Sequence, residues 1–214
     1  MSTELNKTII DALTWRRAVK VFDTGKKVSD EDFTTILDAG RLSASSYGIE
    51  PWKFIEVADP AVRAKIREAA YGQAQVTDAA RFVVIARRTD TDAIATDLIA
   101  RSAKAQGKTP ADLDAFLQSV KGAIAGRPEG AVRDGWLAAQ TYIALGTMMA
   151  AASMMHIDNA GMEGFDRAKV DEILGLKEKN LTSLTFFVLG YRGDDAWSKG
   201  PKVRHTLEEV VIKV

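Results

Sequence analysis

The stretch GWLAAQTYIALGTMMAAASMM, residues 135–155, is the longest uncharged segment of this sequence. Its length suits a membrane-spanning helix of ~20 residues. However, it includes the polar residues Gln140, Thr141, Thr147 and Ser153. Much of the remainder is alanine and methionine, whereas a lipid-facing helix is richer in leucine and isoleucine. The pattern therefore favours a helix over residues 131–155 that is buried on all sides, in a core or a subunit interface.

Short β-rich runs lie on both sides of this helix in the sequence. The predicted strands are WKFIEV at 52–57, FVVIAR at 82–87, SLTFFVLGY at 183–191 and an edge strand, LEEVVIKV, at 207–214. Amphipathic spacing predicts helices over 6–15, 30–42, 60–71, two segments within 90–126, and 165–175. Ser29 marks the start of the second of these helices, and Gly175 marks the end of the last. A few strands among long helices indicate one α+β domain over residues 1–214, with helices packed on a small sheet. No GxGxxG turn follows a strand, which argues against a dinucleotide-binding Rossmann fold.

Composition excludes several classes of site. Lysine plus arginine equals aspartate plus glutamate, at 29 each, so the basic excess of a general nucleic-acid-binding protein is absent. The chain has no cysteine, which excludes disulfides, thiolate metal ligands and thiol nucleophiles. The only histidines, His156 and His205, are too few for a multi-histidine metal site. The acidic, weakly apolar N-terminal segment does not resemble a signal peptide, so we expect a cytoplasmic protein without a membrane partner.

Four separated segments carry residues that could bind a ligand. RRAVKVF at 16–22 is either a solvated basic helix end or an anion site, and SASSYGIEPW at 43–52 is either an ordinary loop or one whose backbone approaches a ligand. GMEGFD at 161–166 reads as a turn whose glycines expose backbone N–H groups. GYR at 190–192, followed by KGPKVR at 199–204, reads as a solvated basic loop or a phosphate site. None of the four segments identifies a function by itself.

The order and spacing of the four segments resemble the FMN-dependent nitroreductase family, of the NAD(P)H nitroreductase and dihydropteridine reductase type. The resemblance runs from Trp15 to the tail. It implies a small, mainly antiparallel sheet surrounded by helices, in an intertwined homodimer with FMN at the interface. Hydride transfer at the flavin N5 would then need no catalytic side chain and no metal.

The resemblance also implies which residues bind FMN. Arg16, Arg17, Lys202 and Arg204 would hold its phosphate and ribityl chain, and Lys20 would reach the pyrimidine edge of the ring. Further cofactor contacts would come from Ala18, Ser45, Ser46, Gly48, Gln73, Gln75, Met162, Glu163 and Gly164. Residues 45–48 would come from the partner subunit, and Tyr47 and Gly164 would contact the substrate. His205 would neighbour the phosphate, whereas His156 would be structural.

The sequence departs from the family pattern at a few of these positions. Ala18 stands where the family often has serine, Gly48 where it often has asparagine, and Glu50 where it often has glutamine. Some members have a lysine near Gln75. These differences leave the FMN assignment in place and bear on the ring contacts and on substrate preference.

The resemblance implies an FMN-dependent oxidoreductase that takes electrons from NADH or NADPH and reduces nitroaromatics, quinones or similar small electron-poor acceptors by a ping-pong mechanism. Two alternatives stay open at this point. One is a specialised reductase of the same fold, such as a flavin reductase, a dehalogenase or an enone reductase. The other is a non-catalytic FMN-binding protein, which NAD(P)H would not reduce.

Overall fold

A four-stranded antiparallel sheet organises the computed structural model, which describes residues 2–214. The strands are β1 (Trp52–Glu56), β2 (Arg81–Arg88), β3 (Asp158–Met162) and β4 (Leu181–Gly190). Their order across the sheet is β1-β2-β4-β3, and every neighbouring pair is antiparallel. The α+β class expected from the sequence is confirmed, as are the three strands predicted between residues 52 and 191.

Ten α-helices lie within the described residues and surround the sheet. They are α1 (Ser2–Trp15), α2 (Asp30–Arg41), α3 (Pro60–Ala69), α4 (Gln75–Asp78), α5 (Thr91–Gln106), α6 (Asp114–Ala125), α7 (Ala131–Met154), α8 (Arg167–Leu174), α9 (Ala196–Lys199) and α10 (Leu207–Val210). The predicted caps set several of these ends. Ser29 Oγ accepts a hydrogen bond from the backbone N–H of Asp32 at 3.0 Å, and Gly175 ends α8 in the left-handed conformation.

The central strands β2 and β4 are buried on both faces, which explains their continuous apolar sequences. One face packs with α3 and α8 through side chains that include Phe82, Val84, Phe186 and Val188. The opposite face packs with α2 and α7 through Val83, Ile85, Phe187 and Leu189. Because Phe186 is fully buried, its truncation to alanine would cost about 3–5 kcal/mol of folding free energy.

Helix α7 crosses the sheet but is not buried on all sides within one chain. Val132, Ile143 and Met154 are each about half exposed, at 57%, 45% and 45%. Helix α7 therefore has more apolar surface than the sheet covers within one chain. No helix among the residues described here combines the length and apolar character that a membrane crossing requires.

One strand prediction was wrong, and one strand was missed. The tail does not form a strand over 207–214, because Thr206 and Glu209 form a reciprocal capping box that begins the short helix α10. Conversely, β3 was missed, because its sequence DNAGM lacks the β-branched and aromatic residues that mark strands. Pairing with β4 and a buried Asn159 override this weak local preference.

Candidate functional site

The basic segment after α1 lies along the outer edge of the sheet. Ala18 forms an isolated parallel bridge to Asn159, so the backbone at Ala18 lies beside β3 at the edge of the sheet. Val19 is fully buried in the core face that also contains Met162, whereas Lys20 is exposed. This alternation directs Lys20 away from the core, whereas Arg16 and Arg17 are half-buried.

The late basic segment folds back onto the first one. We use the term cationic cluster for Arg16, Arg17, Lys202 and Arg204. Lys202 Nζ donates hydrogen bonds to the carbonyl oxygens of Leu13 and Arg16, the second at 2.9 Å. Arg16, Lys202 and Arg204 line one side of a surface cleft of about 340 Å³ beside α1. The two basic segments are therefore close together in the structure.

Electrostatic repulsion within the cationic cluster is not relieved by a carboxylate. Burial and the neighbouring charges of Arg204 and Arg17 lower the pKa of Arg16. Burial and the same three guanidinium groups lower the pKa of Lys202. Among residues 2–214, no aspartate or glutamate lies within 4.0 Å of these four cations. Such a group of partly desolvated cations favours a bound anion.

Two buried aspartates place the loop that carries Lys202. Asp195 is fully buried and accepts hydrogen bonds from the backbone N–H of Lys20 at 2.8 Å and of Trp197 at 3.0 Å. Asp158 accepts from both the backbone and the guanidinium of Arg192, each at 2.8 Å. Sequence reasoning missed both aspartates, because only the folded chain shows which carboxylates are buried.

A second part of the site is the 163–164 turn, formed by Glu163 and Gly164 directly after β3. Tyr142 Oη donates to Glu163 Oε1 at 2.5 Å, and Gln73 Nε2 donates to the carbonyl oxygen of Gly164 at 2.6 Å. Burial and the hydrogen bond to Glu163 raise the pKa of Tyr142. Within the described chain, the backbone N–H of Gly164 has no hydrogen-bond partner, so the turn keeps a free donor.

Gln75 supplies another unused donor near this turn. Its side chain is 5% exposed, and its Nε2 has no hydrogen-bond partner. A buried amide donor without a partner costs about 1–3 kcal/mol, so a polar ligand atom would stabilise it. Gln75 begins α4, and the next residue, Val76, packs in the same core face as Val19 and Met162. The segments 16–20, 73–75 and 162–164 therefore pack on the same face of the sheet.

The 45–48 loop, in contrast, is not brought to this region. The backbone N–H of Ser46 donates to Gln140 Oε1 at 2.7 Å, and Ser45 Oγ accepts from the N–H of Glu50 at 3.0 Å. Tyr47 and Gly48 both have positive φ, at 58° and 75°. No hydrogen bond in the described part of the chain joins this loop to the cationic cluster or to the 163–164 turn.

Both histidines are exposed, and within residues 2–214 only His205 has a carboxylate neighbour. His205 is exposed, and its Nδ1 lies 3.5 Å from a carboxylate oxygen of Glu209. His156 is exposed, and its ring meets the Trp15 ring edge-on at 5.0 Å between centroids. Tyr142 was not predicted as a site residue, because a single tyrosine in an apolar helix carries no sequence signal for its contact.

Comparison with known proteins identifies relatives over the whole chain. The model of the nitroreductase family matches residues 13–191. YfkO of Bacillus subtilis, named as a putative NAD(P)H nitroreductase, is 39% identical over 219 residues, covering 97% of this chain and 98% of that protein. SERP2086 of Staphylococcus epidermidis bears the same description and is 38% identical over 218 residues, covering 97% of each chain.

Solved structures share the fold at lower identity. The ydfN protein of Bacillus subtilis has a TM-score of 0.84 at 20% identity and full coverage of both chains. A protein of Exiguobacterium sibiricum in complex with FMN has a TM-score of 0.80 at 18% identity, covering 96% of this chain and 97% of that chain. The NADPH:FMN oxidoreductase of Vibrio harveyi, complexed with NAD+, has a TM-score of 0.70 at 22% identity, covering 96% and 76%.

Proposed function

The chain belongs to the nitroreductase family, and on that premise we propose that it is an FMN-dependent NAD(P)H oxidoreductase that reduces nitroaromatics, quinones or similar electron-poor acceptors. The names of the curated relatives support NAD(P)H as the electron donor. The FMN complex among the structures with this fold supports FMN as the cofactor. The observation that carries the proposal is the cationic cluster without carboxylate partners.

The cationic cluster fits the terminal phosphate of FMN. A phosphate monoester carries a charge of about −1.5 to −2 at pH 7, and arginine binds it with paired, charge-assisted hydrogen bonds. Arg16 and Arg204 have guanidinium groups that no carboxylate occupies in residues 2–214. Lys202 is already used in part to join its loop to α1, so it contributes both charge and placement.

The polar groups beyond the cationic cluster fit the flavin ring. Gln75 Nε2 and the backbone N–H of Gly164 are donors without partners in the described chain, and the ring offers carbonyl and nitrogen acceptors. Gln73 holds the 163–164 turn through the Gly164 carbonyl oxygen, so we assign it to placing the turn as well as to the ring. Lys20, exposed beside this region, would face the negative charge of the reduced ring.

The division of labour between cofactor and protein follows from this arrangement. When bound, FMN accepts a hydride from NAD(P)H and delivers it to the acceptor. The chain orients the ring through the 163–164 turn and holds the phosphate through the cationic cluster. No GxGxxG turn marks a separate dinucleotide site, so nicotinamide and acceptor would use one position in turn, with Tyr47 and Gly164 as contacts.

The cofactor itself is the first test of the proposal. The purified protein is expected to be yellow, with FMN bound non-covalently and released on denaturation. FAD should bind poorly, because a pocket that ends at a phosphate cannot hold an adenylate. Chromatography of the released flavin checks this. Release of FAD, or of no flavin from protein that was supplied with FMN, would contradict the proposal.

A shared substrate position predicts the steady-state kinetics. Double-reciprocal plots for NAD(P)H at several acceptor concentrations should give parallel lines, which is the ping-pong pattern. The reason is that the first product must leave before the acceptor can occupy the same position. Intersecting lines, together with a ternary complex of NAD(P)H and acceptor on one protein, would show that two separate positions exist.

We further propose that the active form is a homodimer whose partner supplies the 45–48 loop. Within one chain this loop is held near Gln140, apart from the cationic cluster. Large apolar side chains are also exposed on α1, α7 and the tail: Leu5, Ile10, Val132, Ile143, Val210 and Ile212. A monomer would leave these side chains in water, so a second copy is the occupant that the family resemblance and the exposed surface both support.

Light scattering should give twice the 23.3 kDa mass of one chain. Placing a charge on α7 with Ile143→Glu should yield monomers that lose FMN at the same time, because the partner loop is removed. Phe116→Glu is the matched control, since Phe116 is an exposed apolar residue on α6, outside α1, α7 and the tail, at 36% exposure. A wild-type monomer that holds FMN and turns over would refute the dimer.

A further inference from the structure

The side chain of Tyr142 connects α7 to the 163–164 turn. Its ring packs against the core face that includes Leu145 and Met148, while its hydroxyl reaches Glu163 Oε1 at 2.5 Å. A tyrosine anchored in this way has a fixed hydroxyl, because its ring torsions are restricted by packing. Tyr142 therefore fixes one end of a turn whose other end is held by Gln73.

The Glu163 carboxylate depends on this contact. Glu163 is exposed, and among residues 2–214 no cation lies within 4.0 Å of its carboxylate. Tyr142 is the only side chain in that range that donates a hydrogen bond to it. Without the hydroxyl, the glutamate side chain would be free to change rotamer, and its negative charge would no longer be shared with a donor.

We propose that Tyr142 is a positioning residue for flavin reduction. Its hydroxyl holds the Glu163 carboxylate towards α7, keeps the 163–164 turn in place, and weakens the negative charge beside the flavin. This inference rests on the proposed function. The physical reason is that a carboxylate next to a ring that gains negative charge opposes reduction, and a hydrogen bond to that carboxylate lessens the opposition.

The test compares Tyr142→Phe, Glu163→Gln and the double variant by the reduction potential of bound FMN. Tyr142→Phe should lower the equilibrium constant for reduction by roughly tenfold, which is about 30 mV for a two-electron couple. Glu163→Gln should raise the potential. In the Glu163→Gln background, Tyr142→Phe should change the equilibrium constant by less than about twofold, because the charge that the hydroxyl weakens is gone.

A purely structural role of Tyr142 makes a different prediction. Loss of packing or of a neutral contact would shift the potential equally in both backgrounds, and that result would overturn the inference. An unchanged potential in Tyr142→Phe would overturn it as well. Thr147→Val is the control, because it removes another hydroxyl from α7 that donates only to the Ile143 carbonyl oxygen, at 2.9 Å. Its potential should equal that of the wild type.

The wild type separates this inference from the proposed function. If the wild type binds FMN and NAD(P)H reduces it, equal shifts in both backgrounds refute only the role of Tyr142. A wild type that binds no FMN, or whose FMN is not reduced, would overturn the proposed function and this inference together. The affinity for oxidised FMN should stay within about twofold in Tyr142→Phe, because the cationic cluster that binds the phosphate is untouched and the change in charge acts on the reduced ring.

Discussion

The double variant Arg16→Ala/Arg204→Ala is expected to bind FMN about a thousandfold more weakly than the wild type. Each arginine supplies one charge-assisted contact to the phosphate, worth about 2 kcal/mol, and about 4 kcal/mol corresponds to a factor of ~10³. Arg204→Ala alone should cost about thirtyfold by the same reasoning. Neither guanidinium contacts a carboxylate in residues 2–214, so little of the loss should come from the fold.

Fluorescence titration of the flavin-free protein measures this affinity. The control is Lys104→Ala/Lys108→Ala, which also removes two positive charges but from exposed positions at the end of α5. Its affinity should stay within about twofold, since exposed charges at a distance are screened by salt. An equal loss in both double variants would mean that net charge, rather than the cationic cluster, determines binding.

Gly164→Val is expected to reduce the rate of flavin reduction by at least a hundredfold while the protein stays folded. A Cβ at Gly164 would lie 3.4 Å from Gln73 Nε2, which is an ordinary contact, so the Cβ itself fits. The branched methyl groups of valine would extend over the region assigned to the ring. A displacement of about 1 Å between reacting groups is enough to cost 10²-fold.

Stopped-flow reduction by NAD(P)H measures this effect. Gly164→Ala should retain most of the rate, and Glu163→Gln should retain measurable hydride transfer, because the turn's contribution comes from its backbone. Gly122→Val is the matched control, since a Cβ at Gly122 on α6 meets no atom within 4 Å. If the FMN of the Gly164→Val protein is reduced at the wild-type rate, the 163–164 turn is not part of the site.

Local sequence patterns predicted the parts of the fold that local physics determines. The apolar runs around Phe82 and Phe186 predicted the buried central strands, and Ser29 and Gly175 marked helix ends that the structure confirms. The strand β3 could not be predicted in this way, because its residues favour other conformations and only its neighbour β4 stabilises it. The strand prediction for 207–214 was wrong, because the β-branched residues at 210–212 favour a strand locally, whereas the capping box of Thr206 and Glu209 begins a helix.

The candidate site could not be predicted from any single segment, because its residues come from distant parts of the sequence. Arg16 and Lys202 are 186 positions apart, and composition alone does not indicate that they meet. Resemblance to a family supplied that pairing, and the contact of Lys202 with the end of α1 is consistent with it. The hydrogen bond between Tyr142 and Glu163 was not predicted, because side-chain partners across 21 positions depend on the packing of α7 against β3.

Anaerobic titration of the purified protein with NADH and with NADPH tests the central claim most directly. We predict that the absorbance of bound FMN near 450 nm is bleached by one equivalent of at least one of the two donors, and that a nitroaromatic or a quinone restores it. A protein that retains oxidised FMN in excess donor would be a flavin-binding protein without reductase activity, and this result would contradict the account.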